Sequence, residues 1–186
     1  MKKTLLIILC LLLVFTFAAC GGTSDESAVP SGAEDGAENQ AVEGDVFTFE
    51  TETIGDEPFT SEDLKDAKLV IVNLWEPWCG PCVSEMPEIE KLYENYKDKG
   101  LYIIGVFSAT DQLDDVKSVV KSAGTTYPIA IYDQAFDIYQ TGYVPTTIFI
   151  DQNGHILPAS NGYSEHAIVG ANSYENWAEL VESFLK

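Results

Sequence analysis

Leu69-Val70-Ile71-Val72-Asn73-Leu74-Trp75, followed after Glu76-Pro77 by Trp78-Cys79-Gly80-Pro81-Cys82, is the stretch of sequence that decides how this chain folds. The first seven residues are a near-continuous apolar run rich in branched side chains. That pattern predicts a strand buried on both faces in a central sheet. Beyond the cysteines, Pro81 suits the first turn of a helix, and Val83, Met86, Ile89, Glu90, Leu92, Tyr93 and Tyr96 keep helical spacing until Gly100 stops it. Cys79 therefore falls between the end of a buried strand and the start of a helix. There it faces unsatisfied backbone amides and the positive end of the helix dipole, which stabilise a thiolate. Cys82, one turn inside, can close a relaxed disulfide with it while remaining the more buried sulfur. Cys79 is thus expected to exchange with a partner and Cys82 to resolve the mixed disulfide. A purely structural disulfide is the alternative, and a two-residue loop gives it little entropic stabilisation.

Working outward, Val46 to Glu50 alternates like a strand, and Leu64 sits in a short helical turn. Leu101 to Phe107 is a second buried strand. Asp111 opens an amphipathic helix with Leu113, Val116, Val119 and Val120 on one face, ended by Gly124. Short segments follow: a strand over Pro128 to Tyr132, a helical piece over Phe136 to Tyr139, and a strand over Thr146 to Ile150. Asp151-Gln152-Asn153-Gly154 then turns the chain into His155 to Leu157 as an antiparallel hairpin. A last helix over Tyr174 to Leu185 presents Trp177, Leu180, Val181 and Phe184 to the sheet. Strand and helix alternating in this way predict an α/β fold with a mixed sheet.

The chain has 186 residues, 46% of them hydrophobic, enough for one domain with an ordinary core. Its formal charge is −20, and every basic residue is a lysine. Such a surface disfavours nucleic acid as a partner, because phosphate binding relies on clustered cations. The two histidines, His155 and His166, are expected on the surface or in loops. No metal site is expected, since two cysteines lack the further ligands that zinc needs. No cofactor is implied.

The N-terminus reads as a leader: Lys2-Lys3, an apolar run from Leu5 to Phe17, then Ala18-Ala19 before Cys20. Phe17-Ala18-Ala19-Cys20 followed by Gly21-Gly22 resembles a bacterial lipoprotein cleavage site, with phenylalanine where leucine is commoner. The reading is a lipoprotein signal peptide over 1–19 and acylation at Cys20; an ordinary secretory signal and an uncleaved anchor are the alternatives, and either also places the domain outside the cytoplasm. A flexible tether then extends to residue 45, with seven carboxylates and no lysine after Gly21, leaving a folded domain over 46–186. Cys10 leaves with the leader and Cys20 takes lipid, so only Cys79 and Cys82 remain for redox work. The domain is expected at the extracytoplasmic face of a bacterial cytoplasmic membrane.

Trp78-Cys79-Gly80-Pro81-Cys82 after an apolar strand resembles thioredoxin, and the wider pattern is similar to the membrane-anchored TlpA/ResA-like branch of that superfamily. The resemblance covers about Val46 to Lys186. It rests also on Val72-Asn73-Leu74-Trp75, Glu85, Pro87, Val144-Pro145-Thr146-Thr147, Ile150-Asp151 and Asn153-Gly154. It implies a thioredoxin fold with helices on both faces of the sheet and an N-terminal strand extension. Thioredoxin has a buried aspartate where Asn73 stands, and asparagine cannot titrate. The resembled branch places a glutamate three residues beyond the second cysteine, which makes Glu85 the implied acid/base partner. An exposed carboxylate favoured by the helix dipole is the other reading of Glu85. Val144-Pro145 matches the family's cis-proline loop and, with Trp78, Gly80 and Pro81, is implied to meet substrate. Trp75 suits the core as well as the contact surface, and Glu76 reads as a rim charge.

The implied activity is thiol–disulfide exchange, in the reducing direction. Protein disulfides are the clients, apocytochrome c and methionine sulfoxide reductase among those the resemblance suggests, and a membrane electron donor of the thiol-relay type restores the dithiol. The competing readings are a thiol-dependent peroxidase on the same scaffold, disfavoured by the lack of arginine, and a redox-inert anchored binding module.

Overall fold

The computed structural model describes residues 46–186. The leader over 1–19, Cys20 and the tether over 20–45 lie outside the described residues.

A five-stranded mixed sheet organises the domain, in the order β5-β4-β3-β6-β7. Its centre is β3, Leu69–Leu74, every residue of which is buried. On one side β4 (Leu101–Phe107) and β5 (Ile129–Ile131) run parallel to it. On the other, β6 (Thr146–Asp151) runs antiparallel to β3, and β7 (Ile168–Val169) antiparallel to β6. The period of two sorts β3 cleanly: Leu69, Ile71 and Trp75 join the core on one face, and Val70, Val72 and Leu74 that on the other.

Helices cover the two faces unequally. Among the described residues the α-helices α1 (Gly80–Tyr96), α2 (Leu113–Ala123) and α3 (Tyr174–Phe184) all contribute to the core that holds Leu69, Ile71 and Trp75. The opposite face is covered by 3-10 helices at Ser61–Leu64 and Gln134–Tyr139 and by the N-terminal extension. That extension contains a two-stranded antiparallel pair, β1 (Glu50–Glu52) with β2 (Pro58–Thr60).

Two expectations need correction. The strand expected over Val46 to Glu50 begins only at Glu50. Phe47 and Phe49 still alternate inward, but they dock as an extended segment into an aromatic cluster with Phe59, Phe136 and Tyr139. The hairpin expected after Gly154 makes its turn, with Leu157 N–H donating to Phe149 O at 2.8 Å. It then yields only an isolated bridge between Ile150 and Ile156. Pro158 follows at once and has no N–H to extend a ladder. The strand beside β6 is instead the two-residue β7, too short to carry a periodic signal.

Candidate functional site

β3 delivers the cysteines. At its end Trp75 N–H donates to Val106 O at 2.9 Å, the chain turns, and Cys79 N–H donates back to Glu76 O at 3.0 Å. Helix α1 starts at Gly80 with Cys79 as its N-cap, and Cys82 N–H donates to Cys79 Sγ at 3.2 Å. A cysteine sulfur thus occupies the place where serine or aspartate oxygens usually cap helices. The first turn carries no carboxylate to quench the dipole and has a proline, whose missing N–H costs nothing there. Cys79 and Cys82 form a disulfide. When it opens, the same amide and the same helix end stabilise a thiolate on Cys79. Both sulfurs are shielded, Cys79 5% and Cys82 2% exposed, so the expected asymmetry is slight in the oxidised state.

Against this pair lies the loop leading into β6. The Val144-Pro145 peptide bond is cis, and Val144 O is 3.6 Å from Cys79 Sγ. Pro145 O accepts from Gly170 N–H at 2.8 Å, which ties the loop to the segment entering α3. Thr146 Oγ1 donates to Tyr143 O at 2.7 Å and braces the turn. Of the implied contact residues, Gly80 and Pro81 are exposed, Val144 half-buried and Pro145 buried. Trp78 stands 66% exposed beside Cys79, whereas Trp75 is core, 1% exposed and packed on Phe107.

Glu85 is not the exposed carboxylate of the alternative reading. It lies one turn beyond Cys82, 2% exposed. Its Oε1 accepts from Asn172 N–H at 2.7 Å and from Trp177 Nε1–H at 2.9 Å, while Oε2 has no protein partner. Burial pushes its pKa up to about 7, with the bonds from Asn172 and Trp177 opposing the rise. A carboxyl that titrates near neutrality, on the face of α1 that carries the inner sulfur, can give and take a proton where thiolates form and vanish. Asn73 faces the same side and donates to Thr147 Oγ1 at 2.9 Å, across the β3–β6 register.

Glu76 is a correction. It is no rim charge but a buried clamp: Oε1 accepts from Ser108 N–H at 2.8 Å and from the Ser108 hydroxyl, and Oε2 from Ala109 N–H at 3.2 Å. It fastens the turn before the cysteines to the exit of β4. Nothing local betrayed this, because its partners lie more than thirty residues away. Sequence reasoning also missed the grip of Asn172 and Trp177 on Glu85; α3 was legible as an amphipathic helix, but its indole N–H looked like mere core. Of the histidines, His155 sits 3.7 Å from Asp151, and His166 is half-buried with Nδ1 unpartnered. Among the described residues no group of three or more His, Cys, Asp or Glu gathers as a metal centre would.

A disulfide capping the helix that leaves the central strand, faced by a cis-proline loop and backed by a buried carboxyl, defines a protein of the thioredoxin superfamily. More narrowly, residues 34–176 match the family model described as Redoxin, and the chain belongs to that family. It is similar to the thiol-disulfide oxidoreductase ResA of Geobacillus kaustophilus (strain HTA426), 40% identical over 97 residues, 51% of this chain and 55% of that protein. The ResA of Bacillus thuringiensis (strain Al Hakam) is 35% identical over 128 residues, 67% of this chain and 65% of that one. The chain therefore matches less than two thirds of the length of either relative. A thiol:disulfide interchange protein of the thioredoxin family from Chlorobium tepidum TLS has a solved structure with TM-score 0.65 and 27% identity, covering 82% of this chain and 100% of that one. The chain is a ResA-like member of the superfamily.

Proposed function

We propose that this chain is an extracytoplasmic, lipid-anchored thiol–disulfide oxidoreductase that reduces disulfides of protein clients through Cys79 and Cys82. The observation that carries the reading is the disulfide itself, capping α1 with Cys79 Sγ 3.6 Å from the Val144 carbonyl, where an extended client would pass. Starting from the dithiol, Cys79 thiolate attacks one sulfur of a client disulfide and expels the other as thiolate. Cys82 thiolate then attacks Cys79 Sγ, closing the disulfide and releasing the second client thiolate. Two electrons pass to the client, and two protons follow to the released sulfurs. Glu85 accepts the Cys82 proton as that sulfur becomes the nucleophile. A membrane electron donor then reopens the pair by the same two exchanges.

Gly80-Pro81 supports the reducing direction, because thioredoxin with its low potential, near about −270 mV, carries the same pair, against about −120 mV for a strong oxidant. Apocytochrome c and methionine sulfoxide reductase are the client classes we favour. Anchoring through Cys20, after removal of the leader over 1–19, completes the proposal and holds the domain on the outer face of the cytoplasmic membrane.

Insulin reduction by the full chain tests the reading, with Cys82→Ser as the control. Wild type should turn over, and the variant should stop at a mixed disulfide on Cys79 visible on a non-reducing gel. Turnover by Cys82→Ser equal to wild type would sink it. A midpoint potential near that of a strong oxidant would reverse the direction and leave the chemistry in place.

A further inference from the structure

Resting on that reading, we infer that the disulfide end of the molecule selects clients whose target cysteines lie in basic segments, through exposed tyrosines beside the cis-proline loop and a surface free of cations. Three large aromatic side chains at this end are mostly exposed: Trp78 at 66%, Tyr143 at 65% and Tyr163 at 73%. Tyr143 immediately precedes Val144, whose carbonyl faces Cys79, and the Tyr163 ring lies 6.5 Å from it. A paired tyrosine surface thus borders the path a client chain would follow.

The partner chemistry of such rings is displayed elsewhere in the same molecule. Lys91 lies over the Tyr174 ring at 3.9 Å, Lys99 over Tyr96 at 4.0 Å and Lys97 over Tyr93 at 5.6 Å. Away from the disulfide, exposed lysines thus lie over half-buried or buried tyrosine rings of the same chain. The disulfide end cannot do this, because its loops, residues 75–79, 108–112, 132–145 and 158–173, contain no lysine and the chain has no arginine. What they carry instead is exposed Asp111, Asp137 and Glu165. A cleft of about 60 Å³ also opens between Tyr143-Val144 and the carboxylate-bearing Glu76. Rings without an internal cation, set in a negative field, complement a client that brings its own lysine or arginine beside the disulfide. An acidic client would meet both repulsion and rings with nothing to bind.

The test follows the oxidation of reduced full chain by stopped-flow tryptophan fluorescence. Three oxidants are compared: a disulfide peptide with lysines flanking each cysteine, the same peptide with glutamates, and neutral hydroxyethyl disulfide. The lysine peptide should react about tenfold faster than the glutamate peptide at about 0.01 M salt, and most of that preference should vanish at about 1 M, where the Debye length falls to about 3 Å. Tyr163→Ala should narrow the lysine-to-glutamate ratio severalfold and Tyr163→Phe should restore it, since a phenyl ring still receives a cation. Equal rates for the two peptides, a preference that persists at high salt, or a ratio unmoved by Tyr163→Ala would each overturn the inference while leaving exchange chemistry intact. Failure to react with hydroxyethyl disulfide as well would overturn the functional reading beneath it.

Discussion

Glu85 keeps a carboxyl where ionisation is unfavourable, and its titration carries both a stability and a rate prediction. Its pKa rises from 4.5 to about 7 on folding. Between those values the folded chain holds a proton that the unfolded chain has released, so stability declines as pH climbs through the interval and levels off above about 7. The span corresponds to about 3 kcal/mol. Glutamine keeps the shape and the Oε1 acceptor without a charge. Glu85→Gln should therefore melt above wild type at pH 8, with the gap closing below about pH 4.5; calorimetry across that range reads it directly, and a wild-type advantage at pH 8 contradicts it. The same variant should lose the inflection near pH 7 in the rate at which Cys82 resolves a mixed disulfide. Glu76 behaves differently, since its oxygens are filled by three donors. Glu76→Ala strands those donors at the exit of β4 and should cost about 1–3 kcal/mol in denaturant unfolding.

At the scale of elements, α1 is held from both sides. Midway along it, Glu90 Oε2 accepts from Thr126 N–H at 2.7 Å and Oε1 from the Thr126 hydroxyl at 2.5 Å, which pins the helix to the loop before β5. Near its end, Tyr96 OH donates to Glu182 Oε1 of α3 at 2.5 Å. These bonds keep the helix mouth registered on β3 although Pro87 removes one backbone bond inside it. Beneath the mouth, β4 approaches closely because Gly105 has no side chain. A Cβ there would stand 2.6 Å from Ile129 Cδ1 and 3.1 Å from Trp75 Nε1. Gly105→Ala should thus destabilise by about 1–3 kcal/mol through overpacking, and by displacing Trp75 it should slow exchange as well. Unchanged stability in a chemical denaturation curve would show that the strand yields more freely than its packing implies.

The molecule as a whole is strongly anionic, at −20 formally. Among the described residues no lysine lies within 4.0 Å of a carboxylate, and the contact in that range is the His155 imidazole with Asp151, so carboxylates mostly lack cationic partners. Repulsion is then the dominant long-range electrostatic term. Adding salt from about 0.01 M to about 0.15 M shortens the Debye length from about 30 Å to about 8 Å. The Tm should rise by about 2–4 °C for each kcal/mol of repulsion removed. A thermal melt series in sodium chloride checks this; a falling Tm would mean that attractive pairs outweigh the repulsion.

The order of strands and helices from β3 to β6, the two cysteines with their helix-mouth placement, and the aromatic positions of α3 were legible in the residues alone. Each depends on spacing within a few neighbours: apolar runs, a 3.6-residue period, a proline and glycine at the right turns. What only the tertiary structure decided depends on partners far apart in the chain. Glu85 and Glu76 look alike as isolated carboxylates near a helix start, yet one is gripped by Asn172 and Trp177 and the other by Ser108 and Ala109. The short β7, the extended docking of Phe47 and Phe49, and the meeting of Tyr143 with Tyr163 were hidden for the same reason. Local periodicity records which way a side chain points along its own element, whereas burial and hydrogen bonding are set by which distant segment the folded sheet brings against it.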